Sequence, residues 1–214
     1  MQAPIVACAA LLAAALGFSP GQGTRLVEPP QEFFLQGKGK DFDLRLGQAF
    51  VLPKELAGEK VTLRVRPTRL FEYQGLRFRY PQSYVWQYEQ KEDGSSSVTL
   101  SGHTNVLTLH VHETALDAAA LAKSTAAAVA EQWGAKSKKS EVDLLGKGKS
   151  NSLLGWRVQC VIGGSELVQE FYGVKLGEQS GLLMLQDTLT EEGESDPETQ
   201  ALKELWKESL ELAR

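Results

Sequence analysis

The stretch that decides the fold occupies residues 73–113 and reads YQGLRFRYPQSYVWQYEQKEDGSSSVTLSGHTNVLTLHVHE. Apolar and polar residues alternate in short runs, and turn-forming residues separate the runs. Alternation with a period of two is typical of strands that bury one face. Pro81 ends the first run, because proline cannot donate a backbone hydrogen bond. We therefore predict four strands in this stretch: 76–80, 84–88, 98–100 and 106–111.

All three histidines of the chain lie in this stretch, and two of them are two residues apart on its last strand. Side chains at i and i+2 project from the same face, so His110 and His112 can converge on one ion, with Glu113 adjacent. The sequence thus offers a candidate zinc or copper site formed by these three residues. Zinc usually takes three or four protein ligands, so the alternative is a pair of surface or partly buried imidazoles without an ion. The side on which His103 lies is not set by the pattern, because a turn intervenes.

Two amphipathic helices are predicted after these strands. The first covers 114–134, where Thr114 and Asp117 form a capping box and alanine, the best helix former, fills the interior. The second opens at Asp196 and Pro197, because proline is favoured in the first helical turn. In both, apolar residues recur at spacings of three and four, which predicts one face packed on a sheet.

Between the helices the sequence predicts further strands. Gly163 and Gly164 form a tight turn between two apolar runs and predict a hairpin. The run 182–185 is continuously apolar, which favours a central strand covered on both faces. The lysine-rich segment 136–139 is interpreted as a basic loop. Cys160 lies in an apolar strand pattern and is interpreted as a small buried hydrophobic residue.

The amino-terminal region has the features of an export signal. Residues 5–16 form an unbroken apolar run, which suits a signal-peptide core and is too short to cross a bilayer. We predict a signal peptide over residues 1–23, a secreted or periplasmic location, and no transmembrane segment in the mature form. Removal of Cys8 with the signal would leave one cysteine and no internal disulfide.

Charge is distributed unevenly along the chain. The net charge is −4, which gives no support for a nucleic-acid partner, and none is predicted. Residues 24–80 hold 11 basic and 7 acidic residues, whereas residues 81–214 hold 12 and 20. The split leaves three alternatives: internal pairing, an anionic partner for the basic part, or simple solvation of both surfaces.

Five residues of the first strands carry a resemblance to a known family: Gly75, Phe78, Tyr80, Pro81 and Trp86. Their spacing resembles the opening "G-x-x-F-x-Y-P-x-x-W" strand of PsbP-like and DcrB-like proteins, although Trp86 lies later than the family's usual tryptophan. The similarity covers about residues 71–212. It implies an α+β fold in which two main helices pack on a central antiparallel sheet, an α/β/α sandwich. Members are mostly non-enzymatic binding or assembly factors, and the family has no shared catalytic motif to carry over.

These observations predict three segments: a signal peptide (1–23), a strand-rich amino-terminal extension (24–70) and an α+β domain (71–214). The predicted function is that of an exported, non-enzymatic binding or accessory protein of the bacterial cell envelope. It would act through contacts with a protein partner and need no cofactor. The alternative is a metal-binding protein or metal-dependent enzyme that uses the His110/His112 pair.

Overall fold

The computed structural model describes residues 26–44, 49–134, 137–147, 152–162 and 164–212. The predicted signal peptide and Cys8 lie outside these residues. In chain order the strands of the described residues are β1 (Phe33–Gly37), β2 (Lys40–Leu44), β3 (Thr62–Val65), β4 (Thr68–Tyr73), β5 (Leu76–Pro81), β6 (Val85–Gln90), β7 (Ser96–Ser101), β8 (Asn105–His112), β9 (Lys138–Leu144), β10 (Leu153–Ile162), β11 (Ser165–Leu176), β12 (Gln179–Thr188) and β13 (Glu211–Leu212). The α-helices are α1 (Ala118–Trp133) and α2 (Pro197–Ser209), and Lys54–Leu56 forms one 3-10 turn.

The predicted α+β sandwich of two main helices on one sheet is wrong. The described residues are mostly β, with 51% in strands and 18% in helices, and their strands form three sheets. The largest has seven strands in the order β6-β7-β8-β12-β11-β10-β9, and two three-stranded sheets have the orders β2-β1-β3 and β13-β5-β4. Only α1 contacts the seven-stranded sheet extensively, whereas the main contact of α2 is with β5 of a three-stranded sheet.

The strands that were not predicted lie where the alternation of apolar and polar residues is weak in the sequence. β9 begins at Lys138, so the interpretation of Lys138 and Lys139 as part of a basic loop is wrong. This strand reads KKSEVDL, and only its last residue is buried. It is nevertheless held in place by antiparallel pairing with β10. β1 and β4 were not predicted either. Backbone pairing with a neighbouring strand stabilised these segments without a strong apolar pattern of their own.

One face of the seven-stranded sheet packs against α1. Ala122, Ala126 and Val129 of the helix form a core with Phe171 and Leu182 of the sheet. Alanine side chains permit a close approach, and a glycine permits a closer one. A Cβ atom at Gly173 would lie 1.9 Å from the carbonyl oxygen of Ala118 at the start of the helix. The first turn of α1 therefore rests directly on the sheet backbone.

The opposite face holds the larger core. Side chains from β8 and β12 meet side chains from β5 and α2 there, including Leu109, Leu183, Phe78, Leu202 and Trp206. β12 is the fourth of the seven strands, so the predicted central position of residues 182–185 is confirmed. Its alternate side chains enter the two cores on the two faces, which explains the continuous apolar run.

Local signals in the sequence were accurate at several element ends. Asp196 caps α2, with its side chain accepting from Glu198 N–H, and Pro197 is the first helical residue, as predicted. β10 and β11 form the predicted hairpin, with Ile162 paired with Ser165, and Cys160 is buried and free. α1 begins later than predicted, because Asp117, not Thr114, is its N-cap residue.

The β2-β1-β3 sheet is tied to the rest of the described chain by charged side chains. Glu32 pairs with both Arg66 and Arg79, and Glu28 pairs with Arg69. β4, which starts at Thr68, pairs with β5 and belongs to a different sheet. The division into an extension over 24–70 and a domain over 71–214 stays a prediction.

Candidate functional site

The two predicted histidine ligands lie on the same face of β8, as strand geometry requires. His110 is paired with Leu182 of β12 on one side and with Ser97 of β7 on the other. His112 is paired with Ser180. Both imidazoles are half-buried, on the face of the sheet that carries α1 further along.

Burial and a neighbouring lysine keep these imidazoles neutral. Burial lowers the pKa of His110 from its usual 6.5 to about 4, and the positive charges of Lys91 and His112 add to the effect. Burial also lowers the pKa of His112; Asp93 acts in the opposite direction and Lys91 in the same direction. A neutral imidazole is the form that binds metals. The ammonium group of Lys91, however, would repel a cation bound between the two rings.

The other predicted residues do not complete a ligand set. The Glu113 carboxylate packs against Gly94 in the β6–β7 turn, where a Cβ atom would collide with it. His103 lies in the β7–β8 turn, at the opposite end of β8, where its backbone N–H donates to Glu198 Oε2 over 2.8 Å. Across the residues that the structure describes, no group of three or more His, Cys, Asp or Glu side chains could hold a metal ion. The zinc or copper site at His110, His112 and Glu113 stays a prediction.

Lys91 and Asp93 were missed as neighbours of the histidines. The Asp-Gly turn at 93–94 was visible in the sequence. The turn lies beside the end of β8 that carries His112. This position depends on the antiparallel registers of β6, β7 and β8, which only the fold shows.

The low pKa of His110 predicts an acid-dependent loss of stability. The native protein binds the proton more weakly than the unfolded chain does. The contribution is therefore fully present above pH 6.5 and is lost as the pH falls toward about 4. We expect the wild type to lose about 3 kcal/mol more unfolding free energy than His110→Gln between about pH 7 and about pH 4. Urea unfolding in buffer with a chelator measures it.

The control for this experiment is His103→Gln, which removes an exposed imidazole at the other end of β8. It should follow the wild-type pH dependence. Equal pH dependence in the wild type and His110→Gln would show that His110 does not titrate abnormally.

A second charged cluster lies under α2. The Glu170 side chain is only 2% exposed, and Lys203 Nζ lies 2.8 Å from its Oε1 and 2.7 Å from its Oε2. The Tyr172 hydroxyl donates to Oε2 over 2.7 Å, and Arg157 Nη1 is 4.0 Å from Oε1. Burial and the adjacent carboxylate raise the pKa of Tyr172, so its hydroxyl stays protonated. A cavity of about 260 Å³ opens beside Lys203 and is lined by residues of α2 and by Leu144 and its neighbours in the chain.

Five exposed apolar side chains of the described residues lie between positions 50 and 65, on β3 and in the segment that precedes it. Leu63 is 60% exposed and Val65 41%, and exposed Phe50, Val51 and Leu52 precede them in the chain. Val61, Leu63 and Val65 alternate with polar residues in the pattern of a half-buried strand, but all four residues of β3 are exposed. Alternation identified the apolar face correctly; it could not show whether any other element covers that face.

Comparison of the sequence with protein-family models gives no match, and comparison with curated proteins gives none either. The resemblance to PsbP-like and DcrB-like proteins therefore stays a prediction. Neither helix of the described residues is long and apolar enough to cross a bilayer.

Proposed function

We propose that the chain is an exported, non-enzymatic binding or accessory protein of the bacterial cell envelope that acts through protein–protein contacts. The observation that carries the proposal is a group of exposed apolar side chains: Leu63 and Val65 of β3, and Phe50, Val51 and Leu52 in the segment that precedes it. We call it the amino-terminal apolar surface. Clusters of exposed apolar side chains are typical of interaction sites, because water contact with them is unfavourable.

The position of this surface supports a binding role. Leu63 and Val65 lie on the β2-β1-β3 sheet, and none of the five residues belongs to the two cores on the faces of the seven-stranded sheet. A partner could cover it without any rearrangement of those cores. Export is supported by the apolar run 5–16 in the sequence, which has the length of a signal-peptide core.

Co-purification from the native host tests the proposal. A tagged chain should retain a specific partner that is reduced roughly tenfold or more with Leu63→Thr/Val65→Thr, because burial of two aliphatic side chains contributes a few kcal/mol. Threonine is β-branched, like the valine it replaces at position 65, and strands favour such residues, so the sheet should persist. Fractionation of the same cells should place the tag outside the cytoplasm.

The matched control is Val161→Thr/Ile162→Thr at the end of β10. These two residues are also apolar and exposed, at 58% and 42%, but they lie outside the amino-terminal apolar surface. The control should retain the partner. A wild-type chain without a partner, or a partner lost equally in both variants, would contradict the proposed function.

A further inference from the structure

The free edge of β3 presents backbone groups that no strand of the described chain covers. β3 is an outer strand, paired with β1 only. The Arg66 N–H donates to the carbonyl of Glu32, just before β1, over 2.8 Å. Because backbone groups of alternate residues point to the same side, Thr62 and Arg64 bond toward β1. Leu63 and Val65 consequently direct their N–H and C=O groups away from the sheet.

Edge strands are usually protected from pairing by charged residues. β9, at the edge of the seven-stranded sheet, carries Lys138, Lys139, Glu141 and Asp143 within seven residues. β3 carries one charge, Arg64, and presents exposed apolar side chains beside its open edge. It is therefore poorly protected against pairing with another strand.

We propose that β3 pairs antiparallel with β3 of a second copy of this chain, with Leu63 facing Leu63 of the partner subunit. The inference rests on the proposed function, since it names the partner of the amino-terminal apolar surface. The two β2-β1-β3 sheets would join into one six-stranded antiparallel sheet. Leu63 and Val65 of both copies would lie on one face and shield each other from water.

The sequence of β3 selects this register. With Leu63 at the two-fold axis, Val61 faces Val65 of the partner subunit and Thr62 faces Arg64 of the partner subunit. The apolar face is then continuous. Beyond the strand, Lys60 faces Arg66 of the partner subunit, but Arg66 is already paired with Glu32 and Asp43.

Neighbouring registers are unfavourable. Moving the axis to Arg64 places two guanidinium groups directly opposite each other, and like charges in that position are destabilising. Moving the axis to a point between Leu63 and Arg64 places Leu63 opposite Arg64 of the partner subunit. The backbone groups of residue 64 bond toward β1, so no regular hydrogen-bond ladder can form in that register. The register centred on Leu63 avoids both problems.

Sedimentation of the purified protein alone tests for the dimer. We expect a concentration-dependent dimer in the wild type and at least tenfold weaker association with Leu63→Lys, because two ammonium groups would then face each other. Val161→Lys, at a comparably exposed apolar site on β10, should associate like the wild type. Circular dichroism of both variants checks that each remains folded.

Cross-linking tests the register. In a chain with Cys8 and Cys160 replaced by alanine, Leu63→Cys should form an intermolecular disulfide under mild oxidation, because directly opposed strand residues lie within disulfide range. Arg64→Cys should cross-link several-fold more slowly, since its thiols would be offset along the strands.

Three results would overturn the dimer. They are a wild type that stays monomeric at every concentration, a Leu63→Lys variant that dimerises normally, and cross-linking of Arg64→Cys as fast as that of Leu63→Cys. If the purified wild type is monomeric but a host protein is lost with Leu63→Thr/Val65→Thr, the dimer is wrong and the proposed function stands. If neither self-association nor a host partner is found, both fail.

Discussion

Replacing Trp206 by alanine should lower the free energy of unfolding by about 4 kcal/mol, the largest loss expected for a single truncation in the core. The indole is fully buried in α2 and is one of the largest buried side chains. Its ring lies 5.5 Å from that of Phe78 at an interplanar angle of 66°, and its Nε1–H donates to the carbonyl of Arg79 over 3.1 Å. Alanine removes the apolar area, the edge-to-face contact and the donor together.

Denaturant unfolding measures this loss. The control, Trp133→Ala, removes a partly buried tryptophan at the end of α1 and should cost clearly less. Trp206→Phe keeps most of the volume and should cost about 1 to 2 kcal/mol, so it provides a measurable folded variant if Trp206→Ala does not fold. A loss below about 1 kcal/mol in Trp206→Ala would show that α2 is not anchored through this residue.

Replacing Lys203 by methionine should cost about 3 kcal/mol, because it leaves the buried Glu170 carboxylate without its closest cation. Arg157, at 4.0 Å, and the hydroxyl of Tyr172 compensate only in part. Methionine keeps the length of the aliphatic stem, so the change tests charge rather than volume. Chemical denaturation near neutral pH gives the difference.

The design includes a rescue and a control. Glu170→Gln added to Lys203→Met should recover about half of the loss, because a neutral amide costs less to bury than a carboxylate. Lys207→Met, one turn further along α2, removes a more exposed ion pair with Glu204 and should cost at most about 0.5 kcal/mol. Equal costs at the two lysines, or no recovery in the double variant, would contradict the buried-charge account.

A strand in the middle of the sheet was predictable, because a strand that is buried on both faces has a continuously apolar sequence. The apolar run 182–185 predicted the central position of β12, and the Gly-Gly turn predicted the β10–β11 hairpin. β9 was not predictable, since an outer strand with mostly exposed side chains needs few apolar residues. The fold class failed for a related reason: alternation counts strands but does not say how they divide into sheets.

In the candidate sites, too, some features follow from the local sequence and others depend on contacts between residues far apart in the chain. The common face of His110 and His112 follows from their spacing alone. The approach of Lys91 to them depends on two strand registers, and the burial of Glu170 depends on where α2 packs. Glu170 and Lys203 are 33 residues apart, and no local pattern connects them.

The chain order of the seven-stranded sheet has a thermodynamic consequence. β6, β7 and β8 follow one another in sequence and in space, as do β9 to β12, so most pairings join segments separated by a short turn. The pairing of β8 with β12 is different, because it closes the long loop between His112 and Gln179. The entropy of closing a loop grows only with the logarithm of its length, so doubling this loop would cost roughly 0.6 kcal/mol. The sheet can therefore tolerate long insertions at the turns between α1 and β12 at little cost in free energy, provided that β8 and β12 keep their pairing register.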